Sequence, residues 1–201
     1  MWLFAIMESD VIMTLKIALM RSVVIKGQRV KMADARQLVS NVGGRDIKSV
    51  IATGNLLFHS EMPNAWLEKK LEAECAIAYG RRTEIVVRTA EEWRELMAAN
   101  PFAEEAARMP SRLLVWVMKE PIPVAGVEQL RKRAAGSERV ERSSRGDFYV
   151  WFGETPIPQS KIPAGFGIPA LGAVGTNRNW NTVKRIATAA DEMKLKQGVI
   201  T

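Results

Sequence analysis

Apolar runs of strand length and helix-spaced apolar faces alternate along this chain in one order, and that order occurs twice. Leu15 to Met20 reads as a short buried strand, and basic, Gly-containing residues from Arg21 to Val30 follow it. Met32, Ala35, Leu38, Val39 and Val42 have helical spacing, and Gly43-Gly44 supplies a left-handed stop. Ile47 to Thr53 and Leu56 to Ser60 are strand-like, and Gly54-Asn55 between them predicts a tight hairpin. Pro63 opens a helix with Leu67, Leu71, Cys75 and Ala78 on one face, ended by Gly80. Thr83 to Arg88 is a β-branched strand. Thr89 with Glu92 then forms a capping box for a connecting helix carrying Trp93, Leu96 and Met97, which Asn100-Pro101 stops.

The same order returns from Arg112 to Met118, a strand, through a helix marked by Val124, Val127, Leu130 and Ala134 and closed by Gly136. Glu138 to Arg142 and Phe148 to Phe152 are the next two strands. A Pro- and Gly-rich stretch from Gly153 to Gly172 has room for one short helix, and Ala173 to Thr176 is the expected last strand. A final helix turns Trp180, Val183, Ile186, Ala187 and Ala190 inward, and Lys184, Arg185, Thr188 and Asp191 outward. Two successive β-α-β-β-α-β units predict an α+β chain of two ferredoxin-like halves, a duplicated topology with a C-terminal helix. The expected boundaries are residues 13–107 and 108–201, with residues 1–12 as an N-terminal appendage. No sequence identity links the halves.

The chain of 201 residues is 47% hydrophobic and 25% charged, enough to bury a full core. Trp2 to Met7 is far shorter than the ~18 apolar residues of a membrane span. It also lacks the basic leader and cleavage site of a signal peptide. Met13-Thr14-Leu15-Lys16 looks like an alternative start, and the protein is expected to be cytoplasmic, with no membrane partner. A single cysteine, Cys75, excludes an internal disulfide and reads as a small buried hydrophobe. With His59 the one histidine, no metal cluster is expected. No P-loop is present, and Gly165-Phe166-Gly167 lacks the strand and helix of a dinucleotide fingerprint, so no cofactor is expected.

Five pieces of the chain carry a family resemblance. They are Lys31-Met32-Ala33-Asp34, Thr53-Gly54-Asn55-Leu56-Leu57-Phe58, Asn100-Pro101-Phe102, Ser160-Lys161 and Thr176-Asn177-Arg178-Asn179-Trp180-Asn181-Thr182-Val183. In that order they resemble the characteristic blocks of the bacterial family known as domain of unknown function 1697, from Met13 to about Met193. The resemblance implies a fold and no agreed biochemical function. Family members carry an Arg-Gly-Ile-Asn-Val-Gly-Gly loop after the first strand, where Arg21-Ser22-Val23-Val24-Ile25-Lys26-Gly27 stands here. If that loop is the family's site, an altered or lost activity follows.

Charge points toward an anionic partner. The net charge is +7 with a pI near 9.8, and nucleic acid or a phosphorylated small molecule is the partner class it implies. Residues 13–48 carry a net +6 and residues 121–201 a net +5, around an acidic middle. These basic segments make one positive face if they meet in space, and two separate solvated surfaces if they do not.

The run Arg178 to Thr182 is the leading candidate site. It spans the expected start of the last helix, where free N–H groups and the helix dipole favour an anion. Arg178 can supply a bidentate contact, Asn179 and Asn181 further hydrogen bonds, and Lys184 and Arg21 additional charge. Structural roles are equally concrete: Asn caps helices, Trp180 begins the apolar face, and Arg178 can pair with a carboxylate of the other half. In the strand from Arg145 to Phe152, Tyr149 occupies the offset of a base-stacking ring in an RNA-recognition motif, although Asp147 stands where an aromatic is expected. Ordinary strand alternation explains the same aromatics.

Three function classes remain open. The first is a binding protein for nucleic acid or a phosphorylated ligand. The second is a small-molecule enzyme with Arg21, Asn55, Ser160, Lys161 and Arg178 facing a cleft between the halves. The third is an interaction module using a sheet face or edge; no feature sets an oligomeric state.

Overall fold

Leu15, Ile17 and Leu19 alternate with Ala18 and Met20, so strand β1 (Thr14–Met20) sends apolar side chains to both faces and must be covered on both. The computed structural model, described for residues 13–162 and 172–198, meets that demand. The chain is α+β, with two four-stranded antiparallel sheets.

The first sheet is formed by β1, β4 (Arg45–Ser49), β5 (Asn55–Ser60) and β6 (Ile85–Thr89), in the order β4-β5-β1-β6. Helices α1 (Met32–Asn41) and α2 (Asn64–Tyr79) cover one face, packing on Ala18, Met20, Leu56, Phe58 and Val87. The second sheet is formed by β7 (Leu113–Met118), β8 (Arg139–Arg142), β9 (Phe148–Trp151) and β10 (Gly175–Asn179), in the order β10-β7-β9-β8. Helix α5 (Val124–Arg131) covers its outer face through Val127 and Leu130. The alternate residues, Leu15, Ile17 and Leu19 of β1 and Leu113, Val115 and Val117 of β7, belong to one shared core. Helices α3 (Ala90–Ala98), α4 (Ala103–Arg108) and α6 (Trp180–Gly198) complete that core with Trp93, Leu96, Ala106, Val183 and Ile186. The two sheets therefore do not have independent interiors.

Local chemistry sets most boundaries. The Thr89 hydroxyl accepts the Glu92 N–H, and the Glu92 carboxylate accepts the Thr89 N–H, so the expected capping box starts α3. Gly80, at φ 65°, ends α2 in the left-handed conformation. On α2, however, Ala78 is exposed and Glu72 is buried in its place.

Other boundaries differ from expectation. No two-residue hairpin forms at Gly54-Asn55: β4 stops at Ser49, residues 50–54 form the connection, and Asn55 is the first, fully buried residue of β5. Residues 21–30 fold into a ribbon of β2 (Val24–Ile25) and β3 (Gln28–Arg29), turning at Lys26 and Gly27, both with positive φ. The last strand runs from Gly175 to Asn179 rather than from Ala173 to Thr176. Its polar residues Thr176 and Arg178 point inward, so periodicity placed it too early. The stretch after β9 contains a 3-10 turn at Ile157–Gln159. Gly165-Phe166-Gly167 and residues 1–12 lie outside the described residues.

Candidate functional site

Part of the basic charge is engaged in ion pairs within the protein. Arg145 bridges Glu92 and Glu95, Arg139 pairs with Glu105, and Lys119 reaches Glu72 and Glu84. These pairs tie the second basic segment, and β7 beside it, to the acidic middle of the chain. They also hold Glu92 below the ordinary carboxylate range: burial pushes it up, and the Thr89 N–H and Arg145 outweigh that.

One group of basic side chains lies between β4 and α6. Lys48, Ser49 and Val50 face Asn181, Lys184 and Arg185 across a groove of about 530 Å³. The helical spacing of 181, 184, 185 and 188 puts these residues on one side of α6, beside its buried stripe. Asn179 fixes where that side begins. Its side-chain oxygen accepts the Thr182 N–H at 2.9 Å, capping the helix, and so leaves Asn181 in the first turn. Lys48 pairs with Glu192 at 2.6 Å. Lys184 and Arg185 are exposed and make no ion pair among the described residues. The groove is therefore the place where cations of both basic segments, at 13–48 and 121–201, come together.

Arg178 is elsewhere. It lies on β10 rather than in the helix, only 8% exposed. Nε donates to Asn55 Oδ1 at 2.5 Å, Nη1 to Thr176 Oγ1 at 2.8 Å and Asn177 O at 2.7 Å, and Nη2 to Met20 O at 2.9 Å. Its donors thus satisfy the ends of β1 and β5 in the other sheet. Burial lowers its pKa to about 10, still charged at neutral pH. This corrects its expected role as a phosphate ligand, because the guanidinium is already filled by protein acceptors.

A second arginine repeats the arrangement in reverse. Arg88 of β6 donates to Met118 O, at the end of β7, and approaches Asp147 Oδ1 at 3.4 Å. Arg88 stands opposite Ile17, three residues before Met20, and Arg178 stands opposite Val115, three residues before Met118. The N–H of Arg21 bonds Glu84 O as that of Lys119 bonds Val174 O. The residues around the two arginines share no sequence pattern, so only the strand registers of the two sheets align them.

The remaining candidates separate. Tyr149 is fully buried, and its hydroxyl donates to Leu96 O at 2.5 Å, so it offers no face to a base; strand alternation explains it. Asp147, also buried, accepts the Met118 N–H at 2.8 Å. Asn55 and Arg178 meet, but Ser160 accepts the Ile162 N–H, Lys161 is exposed, and neither is bonded to that pair. Arg21 lines a different cavity, beside the β2–β3 ribbon. Cys75 is buried, with its thiol pushed up to about 12, mainly by burial. Among the described residues no helix is long and apolar enough to cross a membrane.

These features define an α+β protein whose two antiparallel sheets share a core, are cross-linked by two arginines, and leave a basic groove between β4 and α6. The chain belongs to the family described as "Protein of unknown function (DUF1697)", whose model matches residues 13–148. It is similar in structure to a conserved bacterial protein, SP0830 from Streptococcus pneumoniae, at 24% sequence identity and a TM-score of 0.71. That similarity covers 89% of this chain and 99% of the other, and shows the fold. No curated protein matches the chain.

Proposed function

We propose that this protein is a cytoplasmic binding protein for phosphate-bearing chains, single-stranded nucleic acid foremost, using the groove between β4 and α6. The carrying observation is that Lys48 from one basic segment, paired there with Glu192, and Lys184 and Arg185 from the other line the same groove. Asn181 and Ser49 supply neutral hydrogen-bonding groups beside them. Among the described residues no aromatic side chain lines the groove, so contacts would fall on the phosphate backbone, with little preference for base. The fold reading that accompanies this is two ferredoxin-like halves, residues 13–107 and 108–201, with the groove at their junction. Equal strand orders in the two sheets and matched arginine registers support it.

The test is fluorescence anisotropy of labelled single-stranded RNA and DNA at low and moderate salt, comparing wild type with the double variant Lys184→Ala, Arg185→Ala. Wild-type binding should weaken with salt, and the variant should bind at least about tenfold more weakly, with a shallower salt slope. Absence of wild-type binding at low salt would sink this reading.

A further inference from the structure

A second cavity, of about 430 Å³, lies between the β2–β3 ribbon and the connection from α2 to β6. Arg21, Arg81 and Arg82 line it with one carboxylate, Glu84, and with Thr83. The volume falls in the range of small-ligand sites, roughly 300–1,000 Å³. The three guanidinium groups outnumber Glu84 and the Glu72 carboxylate that pairs with Arg82, which favours an anion, and Val24 and Ile25 add an apolar wall.

One of the arginines is oriented from beneath. Glu72 is fully buried, and its Oε2 accepts from Arg82 Nε at 2.9 Å and from Arg82 Nη2. The other Glu72 oxygen accepts the Ile85 N–H at 3.0 Å and the Lys119 ammonium. This fixed carboxylate holds one edge of the Arg82 fork, while Nη1 is not used by Glu72. Arg81, next to it, has no ion pair or hydrogen bond among the described residues. Thr83 is largely buried, and its hydroxyl has no partner among those residues.

The ribbon approaches the end of α2 closely beside the cavity. Gly80 has no Cβ, and Lys26 Nζ lies 3.1 Å from where one would stand. The lysine thus sits at the C-terminal end of α2, where the helix dipole favours a cation. Glu84 keeps one oxygen near Lys119, at 3.3 Å, and has a second available as an acceptor.

We infer that this cavity binds a phosphate monoester of nucleotide size, its phosphate on Arg81, Arg82 and Thr83 and a hydroxyl of its carbon skeleton on Glu84. The site is separate from the β4–α6 groove and does not depend on it.

Isothermal titration with adenosine 5′-monophosphate, ribose 5-phosphate, inorganic phosphate and adenosine tests this on the full chain at low salt. The two esters should bind and adenosine should not. Arg81→Gln should weaken both esters at least tenfold, while Lys69→Gln, an equal charge loss on the exposed side of α2, should stay within twofold. Glu84→Gln should weaken the esters and leave inorganic phosphate unchanged. Thr83→Val provides a second, uncharged change in the phosphate contact and should also weaken the esters. Failure of the wild type to bind either ester at millimolar concentration overturns the inference. So does an equal loss in Arg81→Gln and Lys69→Gln, which would mark diffuse surface charge.

Discussion

Arg88 and Arg178 hold matching registers in their sheets and reach the end of the first strand of the other sheet, yet one meets a carboxylate and the other an amide. The difference follows from which backbone group each site leaves over. At the end of β1 the Met20 N–H is taken by Gly54 O, but Val50 O needs a donor. Asn55 supplies one at 3.0 Å while its oxygen accepts from Arg178. At the end of β7 it is the Met118 N–H that needs an acceptor, and Asp147 supplies it. An amide can accept and donate at once, whereas a carboxylate only accepts. Matching frames thus carry different charge, because the turns before β5 and β9 differ.

Removing each arginine should break the comparison most sharply. Arg178→Met leaves Asn55 Oδ1, Thr176 Oγ1 and Met20 O without their shared donor, all at buried positions. Urea unfolding should show a loss of about 3–5 kcal/mol, the cost of orphaning several buried groups. A loss under ~1 kcal/mol would mean the sheets are held by the shared apolar core alone.

Arg88→Met should cost less, about 2–3 kcal/mol at neutral pH, and its cost should depend on pH. Burial holds Asp147 above the ordinary carboxylate range, against the pull of Arg88 and the Met118 N–H. A carboxyl raised on folding stabilises the native state below its unfolded pKa, and that contribution is lost as pH rises through the folded value. Without Arg88 the folded value rises further, so the deficit should grow from acid toward neutral pH. The Arg178→Met deficit should stay flat over that window, because Asn55 does not titrate. Equal pH profiles for the two variants would contradict the assignment of the charged clamp to Asp147.

How far the sequence foretold this architecture depends on which signal each element carries. The inward stripe of α6, the capping box of α3 and the glycine stop of α2 are periodic or local, and they stand where patterning puts them. Strand β10 carries a buried Thr and Arg where patterning reads polar as outward, so its boundary was misplaced. Asn55 reads as a turn residue for the same reason: a buried amide looks like a turn until its partner is known. Asn181 and Lys184 were legible as one face of a helix. Lys48, on β4 of the first sheet, is legible only as charge, because nothing local says which strand α6 lies beside.

The finest test exchanges the two clamps. Asn55→Asp gives Arg178 a carboxylate but removes the donors to Val50 O and Thr53 Oγ1, at 3.0 and 2.9 Å. It also places negative charge against a carbonyl. The new ion pair offsets part of this, so a loss of about 1–2 kcal/mol is expected. Asp147→Asn keeps an acceptor for the Met118 N–H and for Arg88, and removes a carboxyl whose ionisation is opposed by burial. Its cost at neutral pH should be about 1 kcal/mol or less, falling further or reversing as pH rises, with the pH slope assigned to Asp147 gone. Thermal melts of both variants across pH 4 to 8, a window of roughly four units around that shift, decide the matter. If Asn55→Asp stabilises the protein, the leftover Val50 carbonyl is not what selects the amide, and the account of why the two arginines differ fails.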